Sequence, residues 1–229
     1  MADRQEGPVD LGILTSSGLF SGISDEQAER LSQAMVPLHM NRGEVLFSAG
    51  DPADRLYLIK SGKMKLGHTS DNRENLLAVL GTGEILGELT LFEPGARTAT
   101  ATAVTGVDLL ELTHESFVEW LEENPAASMH LLKAMATRLR RTNEAVGGLV
   151  FYDVPGRVAK ALLDLAEQFG EPDEEGSVLV DHSLTQGELA HLVGSSRETV
   201  NKALAEFAAR NWIRLEGRTV YILDRSHLE

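Results

Sequence analysis

The chain has 229 residues, 42% of them hydrophobic, so it can form one or two domains with buried cores. It contains no cysteine, which excludes disulfides, a thiol redox switch and a cysteine-ligated iron–sulfur cluster. The formal net charge is -14, which is unusual for a nucleic-acid-binding protein, and the seven histidines are too scattered to predict a metal site.

The first part of the chain predicts a leader, a short helix and then a β-rich domain. Residues 1–20 are largely polar at their start, with neither a signal-peptide core nor a membrane-spanning run, which predicts a poorly ordered leader on a cytoplasmic protein. Ser24 and Gln27 have the spacing of a capping box, which predicts a helix through about Met35. Short strands separated by glycines follow, at residues 44–47, 55–59, 63–66 and 76–80. This spacing predicts a small sandwich or jelly roll.

Residues 87–99 combine the parts of an anion-binding site in one short run. Gly87 lacks a Cβ, so its backbone N–H can approach a ligand closely. Arg97 offers a planar fork of donors that suits a phosphate, and Thr98 adds a hydroxyl. Glu88 can accept a hydrogen bond from a sugar hydroxyl. These residues predict a sugar-phosphate ligand, and the alternative for Arg97 is a surface arginine with a local ion pair.

This run resembles the phosphate-binding cassette of cyclic-nucleotide-binding domains, in particular that of the Crp/Fnr family of bacterial transcription regulators. Residues 43–63 are similar to the first half of the same barrel, and this part of the resemblance covers about residues 20–125. It implies a cyclic-nucleotide-binding β-barrel of the jelly-roll type at residues 21–125. It also implies that the effector is cyclic AMP. The implied cassette residues are Gly87, Glu88, Leu89, Arg97 and Thr98.

A long central helix is predicted after the strands. Thr113 caps a short helix through Glu122, and a longer helix then runs from about Ala126 to Phe151. Six residues in it are spaced alternately three and four apart, namely Leu132, Met135, Leu139, Thr142, Val146 and Leu149. This heptad seam predicts a homodimer through a parallel coiled coil, with residues 126–152 as dimerisation helix and hinge. The alternative is a helix packed against its own barrel.

The family resemblance also assigns ligand contacts to the central helix. Thr142 and Asn143 resemble the dipeptide with which family members hold the purine from both subunits. Arg138, one turn earlier, matches a position that helps to hold Glu88 and the ligand. A nucleotide held between the cassette and two central helices would bias the helical interface toward one arrangement.

The last part of the chain, residues 153–229, predicts a winged helix-turn-helix. Asp153 is a predicted N-cap for a helix through Phe169. Thr185 and Glu188 form a capping box, and Gly194 falls where that helix must end. Ser195 and Glu198 predict a second capping box. Two short helices joined by a glycine-containing turn are typical of a helix-turn-helix.

The second of these helices carries polar side chains near its N-terminal end, where such a helix meets base edges in the major groove. Arginine reads guanine, and glutamate accepts from the cytosine amino group. Residues 212–223 predict a hairpin around Gly217, the wing, with Arg218 as a candidate phosphate contact. The predicted DNA-binding residues are Thr185, Gln186, Ser196, Arg197, Glu198, Asn201, Lys202 and Arg218.

This region resembles the recognition helix of the same Crp/Fnr family, and residues 138–143 and 153–160 are similar to actinobacterial Crp-like regulators. The resemblance implies an α+β protein that binds double-stranded DNA as a homodimer. The implied site is a pseudo-palindrome with half-sites similar to TGTGA, and RNA polymerase is a further candidate partner. No Ser/His/Asp set, carboxylate pair or metal spacing indicates catalysis, so no enzyme, metal or membrane partner is expected.

Two alternative functions remain open from the sequence. The first is a regulator of the same fold that responds to cyclic GMP or needs no ligand, because the Thr98 hydroxyl can also serve a guanine amino group. The second is a cyclic-nucleotide sensor that signals through a protein partner, which the acidic net charge favours. Arg197, Glu198 and Lys202 argue against the second alternative.

Overall fold

The computed structural model describes residues 12, 14, 20, 23–70, 73–92, 95–173 and 176–229. The predicted leader therefore lies outside the described residues, except at three positions. Two of these, Leu14 and Phe20, are fully buried in a hydrophobic core, so the prediction of a poorly ordered segment is wrong for them. The chain divides into two compact units, residues 1–68 with 78–141 and residues 69–77 with 142–229. The boundaries predicted at residues 20, 125 and 152 stay predictions.

Helix α1 (Asp25–Ala34) of the first unit has the predicted capping box. The Ser24 Oγ accepts from the Gln27 N–H at 3.3 Å, and the Gln27 Oε1 accepts from the Ser24 N–H at 2.8 Å. In the described chain, the strands that follow are β1 (Val36–Met40), β2 (Val45–Phe47), β3 (Arg55–Ser61), β4 (Met64–Ser70), β5 (Arg73–Leu80), β6 (Ile85–Leu86), β7 (Thr100–Ala103) and β8 (Val107–Thr113), with the short helix α2 (Leu89–Phe92) between β6 and β7.

These strands form two four-stranded sheets, ordered β1-β8-β3-β6 and β2-β7-β4-β5. The strand pairs whose register is described here are antiparallel. Side chains of both sheets share one hydrophobic core, which includes Met40, Ile59 and Leu109 from the first sheet and Met64, Leu66, Ala101 and Ala103 from the second sheet. The predicted β-rich domain within an α+β fold is therefore confirmed, and the cassette residues follow β6 and precede β7.

The other face of the first sheet is covered by helices. Leu56 and Leu58 of β3 and Leu110 and Leu112 of β8 share a second core with residues of α1, α3 (His114–Glu123) and α4 (Pro125–Phe151). Because β3 is buried on both faces, its sequence contains a nearly continuous apolar run, Leu-Tyr-Leu-Ile, and does not alternate between apolar and polar residues.

The long helix α4 packs on its own unit at its start, and the predicted parallel coiled coil stays a prediction. Its first turns pack against the unit's own core through the buried Ala127 and Leu131, with Met135 partly buried beside them. By contrast, Leu132, Leu139 and Val146 of the predicted seam are 61%, 60% and 57% exposed in the single chain. The side chain of Leu149 lies outside the described residues.

The second unit contains a small sheet and a helix-turn-helix. Helix α5 starts at the N-cap Asp153, whose Oδ1 accepts from the Gly156 N–H at 2.9 Å, as predicted. The described elements are α5 (Val154–Phe169), β9 (Gly170–Pro172), β10 (Val178–Asp181), α6 (Gln186–Val193), α7 (Arg197–Ala209), β11 (Ile213–Glu216), β12 (Thr219–Ile222) and a 3-10 turn (Arg225–His227). The sheet order is β11-β12-β10-β9.

The described residues contain neither a candidate membrane-spanning helix nor a candidate metal-binding cluster. None of the helices there combines the length and the apolar character that a membrane span requires. No group of three or more His, Asp or Glu side chains in the same residues could share a metal ion.

Candidate functional site

The backbone of Arg97 is fixed by a turn that precedes β3. The Arg97 N–H donates to the Asp51 carbonyl oxygen at 2.8 Å, and the Gly50 N–H donates to the Arg97 carbonyl oxygen at 2.8 Å. The turn itself is closed by the Asp51 carboxylate, which accepts from the Ser48 N–H at 2.7 Å. A segment from near the start of the barrel therefore holds a residue that is distant in sequence.

The guanidinium of Arg97 is buried, with only 5% of the residue exposed. Its Nη2 donates to the Arg55 carbonyl oxygen at 2.7 Å. Its Nε and Nη1 are buried and have no hydrogen-bond partner among the described residues. Burial lowers the pKa of Arg97, and nearby acids, Glu88 among them, oppose this effect. Arg97 is therefore not a surface arginine, and two of its nitrogens can still bind an anion.

Gly87 is required beside this guanidinium for two reasons. Its φ is +85°, in the left-handed region that side chains rarely adopt. A Cβ built on Gly87 would lie 2.2 Å from the Arg97 Nη1 and 2.8 Å from the Arg55 carbonyl oxygen. The backbone of the cassette and the side chain of Arg97 therefore occupy adjoining space, and only glycine fits between them.

The other predicted ligand residues differ in burial, and the structure describes the side chains of only some of them. Glu88 is buried at 2% exposure, whereas Leu89 and Thr98 are exposed. The side chain of Arg138 lies outside the described residues. Thr142 and Asn143 are exposed and belong to the second unit. The structure therefore brings together Gly87 and Arg97, and the roles of the three α4 residues stay predictions.

Three residues beside the cassette were not found by sequence reasoning. The Arg97 Cζ lies 4.2 Å from the ring centroid of Phe47 and 5.8 Å from that of Tyr57. His114, at the start of α3, has a pKa that burial lowers. The chain carries no local signal for these contacts, because they depend on which strands pair and not on spacing along one element.

One N-cap of the helix-turn-helix is the predicted residue, and the other differs from the prediction. Thr185 and Glu188 form the predicted capping box, and Gly194 ends α6 in the left-handed conformation at φ 66°. The capping box predicted at Ser195 and Glu198 is wrong, because the N-cap of α7 is Ser196, whose Oγ accepts from the Thr199 N–H at 3.2 Å. The Ser195 N–H still donates to the Ala190 carbonyl oxygen at 3.0 Å, so Ser195 belongs to the turn that closes α6.

Helix α7 presents a polar face and buries an apolar one. Arg197, Glu198 and Lys202 are exposed, while Val200 and Leu204 lie in the core. Gln186 of α6 links the two helices, because its Oε1 accepts from the Asn201 Nδ2 at 3.1 Å and from the Arg197 Nη2 at 3.4 Å. The polar face is therefore partly ordered by hydrogen bonds within the motif.

The wing and its cations form a second exposed part of this unit. Strands β11 and β12 are joined at Gly217, which has a φ of +64°, and Arg218 is exposed beside it, as predicted for a hairpin. Arg210 and Arg214 have carboxylate partners, Glu206 at 2.6 Å and Glu216 at 3.1 Å. We therefore take Arg197, Lys202 and Arg218 as the main candidate cations for an anionic partner.

Comparisons with known proteins agree with both halves of this architecture. Residues 37–124 match the cyclic nucleotide-binding domain family, and residues 156–229 match the Crp-like helix-turn-helix domain family. The chain is 48% identical over 217 residues to the CRP-like cAMP-activated global transcriptional regulator of Mycobacterium tuberculosis, a match that covers 94% of this chain and 96% of that protein. It is 33% identical to the cyclic AMP receptor protein of Thermus thermophilus, over 94% of this chain and 97% of that protein.

A solved structure gives a similar result for the fold. The global regulator CLP of Xanthomonas campestris, described as responsive to c-di-GMP, superimposes with a TM-score of 0.73 at 27% identity, over 87% of this chain and 99% of that chain. The identity and coverage of these matches place the chain in one class, bacterial regulators that join a nucleotide-binding barrel to a helix-turn-helix. The chain belongs to the Crp/Fnr family. It is a DNA-binding transcription regulator and not an enzyme, and dimers are typical of its family.

Proposed function

We propose that this protein is a cyclic-AMP-responsive transcription regulator that acts in the cytoplasm as a homodimer. The observation that carries the proposal is the buried guanidinium of Arg97, whose Nε and Nη1 have no hydrogen-bond partner among the described residues. A buried cation with unused donors is costly unless an anion completes it. The cyclic phosphate of the nucleotide supplies that anion, and Arg97 binds it in the plane of the guanidinium.

The other cassette residues complete the nucleotide site in this proposal. The backbone at Gly87 and Leu89 lies against the phosphate, the buried Glu88 carboxylate accepts from the ribose hydroxyl, and the Thr98 hydroxyl lies beside the ligand. Arg138 supports Glu88. Thr142 and Asn143 contact the purine from the central helices of both subunits. These contacts couple ligand binding to the arrangement of α4 in the dimer.

The two recognition helices then read a pseudo-palindromic DNA site with half-sites similar to TGTGA. Arg197 donates to guanine, Glu198 accepts from cytosine, and Asn201 and Lys202 contact neighbouring bases or phosphates. Thr185, Gln186 and Ser196 lie around the N-terminal ends of α6 and α7, where backbone N–H groups favour phosphate. Arg218 of the wing contacts the backbone, and RNA polymerase is the partner through which the bound dimer regulates transcription.

The test is fluorescence anisotropy of a labelled duplex with two TGTGA half-sites, at fixed salt, with no nucleotide, with cyclic AMP and with cyclic GMP. Tight binding that requires cyclic AMP supports the sensor, the DNA reader and their coupling together. Equal binding in all three conditions contradicts the ligand dependence. No binding in any condition favours a sensor that signals through a protein partner.

A second nucleotide remains the main rival, and one observation favours it. Thr98 is exposed directly after Arg97, so its hydroxyl is available to the exocyclic amino group of a guanine. The similar regulator CLP is described as responsive to c-di-GMP, so nucleotides other than cyclic AMP can serve proteins of this fold. Displacement of labelled cyclic AMP by cyclic GMP or c-di-GMP at lower concentrations than by cyclic AMP itself would establish the rival.

A further inference from the structure

We propose that Phe47 is a positioning residue for the anion-binding Arg97. Its ring supports one face of the guanidinium, so that the in-plane donors Nε and Nη1 stay available for the phosphate. The inference rests on the proposed function, because it concerns the site where we propose that cyclic AMP binds. It goes beyond that function by naming a residue of β2 that lies outside the predicted cassette sequence, residues 87–99.

The geometry of the contact is that of a cation–π pair. The Arg97 Cζ lies 4.2 Å from the Phe47 centroid, well within the range in which the negative face of an aromatic ring attracts a cation. Tyr57 of β3 lies on the same guanidinium at 5.8 Å, and the two rings are 6.1 Å apart with a 30° tilt. Phe47 and Tyr57 together form an aromatic shelf under Arg97.

The shelf and the anion use different parts of the same group. A guanidinium can stack on an aromatic ring through its flat face, and all of its N–H donors lie in its plane, so a stacked ring leaves the donors available. One in-plane nitrogen, Nη2, is already bonded to the Arg55 carbonyl oxygen at 2.7 Å. With Nη2 hydrogen-bonded and the Phe47 ring 4.2 Å from Cζ, the Arg97 side chain has fewer accessible rotamers, so binding a phosphate requires less ordering of the side chain.

The need for the shelf follows from burial. Burial lowers the pKa of Arg97, which means that the site disfavours the positive charge that the ligand requires. An aromatic face stabilises the cation without using any of its donors, and the effect is larger in a desolvated place. Phe47 thus offsets part of the desolvation cost of the Arg97 cation. A hydrogen-bonding partner could do the same only by occupying Nε or Nη1, which the phosphate needs.

The local backbone of β2 brings Phe47 to this position. Val45 pairs with Thr102 and Phe47 with Ala101, so two steps along β2 correspond to one step along β7. A shift of one residue in register turns side chains toward the other face of a sheet, and such irregularities are used to redirect side chains near functional sites. Phe47 is half-buried, whereas Tyr57 lies in the core, so Phe47 can be replaced with less damage to the fold.

The test replaces Phe47 in the full-length protein with mono-, di- and trifluorinated phenylalanine, which weaken the ring's negative face in steps while hardly changing its shape. Affinity for cyclic AMP is measured by calorimetry. We expect a stepwise loss that reaches about tenfold for the trifluorinated ring and for Phe47→Leu, and near-normal affinity for Phe47→Tyr. The same fluorinated residues at Phe169 of α5, which is half-buried like Phe47 and belongs to the second unit, are the matched control and leave affinity unchanged.

Affinities within twofold of wild type across the whole fluorinated series would overturn the proposal, and so would an equal loss for the Phe169 series. A second measurement does not depend on the ligand. In the free protein, the Arg97 Nε–H resonance carries a ring-current shift that Phe47→Leu removes and Phe47→Tyr keeps. If wild-type protein bound no cyclic AMP, the proposed function would fail, and this resonance would still decide whether Phe47 positions Arg97.

Discussion

At the scale of single residues, the cassette depends on a glycine whose neighbour is a charged side chain. Gly87 and Gly43 have almost the same backbone conformation, with φ of +85° and +84°. A Cβ on Gly87 would meet the Arg97 Nη1 at 2.2 Å, whereas a Cβ on Gly43 would meet nothing within 4 Å. The pair separates backbone strain from the clashes that a methyl group at Gly87 would make with Arg97 and with the Arg55 carbonyl oxygen.

We expect Gly87→Ala to weaken cyclic AMP binding at least about tenfold, because the methyl group displaces the guanidinium that binds the phosphate. Gly43→Ala should leave binding unchanged. Both variants should lose about 1–2 kcal/mol of unfolding free energy from the left-handed conformation alone. Calorimetry with cyclic AMP and urea unfolding measure the two effects. A Gly43→Ala variant that binds as poorly as Gly87→Ala would show that strain alone impairs the site.

In the second unit, Gln186 holds two candidate base-reading side chains through one carbonyl oxygen. We expect Gln186→Met, which keeps the shape and removes the acceptor, to weaken binding to the specific duplex. Each side chain that must then be ordered costs about 0.5–1.5 kcal/mol, so the two side chains together correspond to a loss of affinity of about five- to a hundredfold. Binding to a random duplex should not change, because phosphate contacts supply it.

The control for this prediction is Gln33→Met, the same change at an exposed position of α1 in the other unit. Anisotropy with both duplexes gives the ratio of specific to random affinity for each variant. A Gln186→Met protein with an unchanged ratio would mean that the bridge to Arg197 and Asn201 does not order the recognition face. An equal loss on both duplexes would mean that Gln186 acts as a phosphate contact.

At the scale of elements, helix α4 has one half that packs on its own unit and an exposed stripe that continues beyond it. Leu139 lies in the exposed stripe, where a large apolar side chain at 60% exposure indicates a surface that a partner covers. We expect Leu139→Glu to convert the dimer to a monomer, because two carboxylates would face each other in an apolar seam. Lys133→Glu is the control, since Lys133 is exposed and lies outside the seam.

Sedimentation equilibrium of both variants measures the change in oligomeric state. A monomer for Leu139→Glu with a dimer for Lys133→Glu is the expected result. A Leu139→Glu protein that stays dimeric would mean that the heptad seam of α4 is not the dimer interface. Circular dichroism on the same samples separates loss of the dimer from loss of the helix.

The same elements explain how much of the fold could be predicted from the sequence. The caps at Ser24 and Thr185 were predictable, because a capping box involves residues only three apart. The cap at Ser196 was placed one residue early, since the turn that closes α6 extends through Ser195. The aromatic contacts of Arg97 could not be predicted, because they depend on the pairing of β2 with β7 and on a register shift within it.

At the scale of the whole molecule, the net charge of -14 means that a DNA-binding surface needs arginines and lysines that carboxylates do not neutralise. In the second unit, Arg210 and Arg214 are paired with carboxylates, while Arg197, Lys202 and Arg218 are exposed on the recognition helix and the wing. Few phosphates can therefore be neutralised, and random DNA should be bound weakly. In the proposed function, specific binding therefore depends on base contacts, on the dimer and on the effector.

This dependence on the effector gives a prediction with a strict numerical form. If cyclic AMP raises the affinity for the specific duplex by some factor, the duplex must raise the affinity for cyclic AMP by the same factor, since the two equilibria share one coupling free energy. Couplings of this kind are typically about 5- to 150-fold. Calorimetry with cyclic AMP, with and without saturating duplex, measures one factor. Anisotropy with duplex, with and without saturating cyclic AMP, measures the other independently.

Arg97→Ala should bring both factors to one while keeping the basal DNA affinity of the ligand-free protein. Unequal factors in the wild type would mean that the protein has a further ligand-dependent equilibrium, such as dimerisation, and repeating the titrations at several protein concentrations would reveal it.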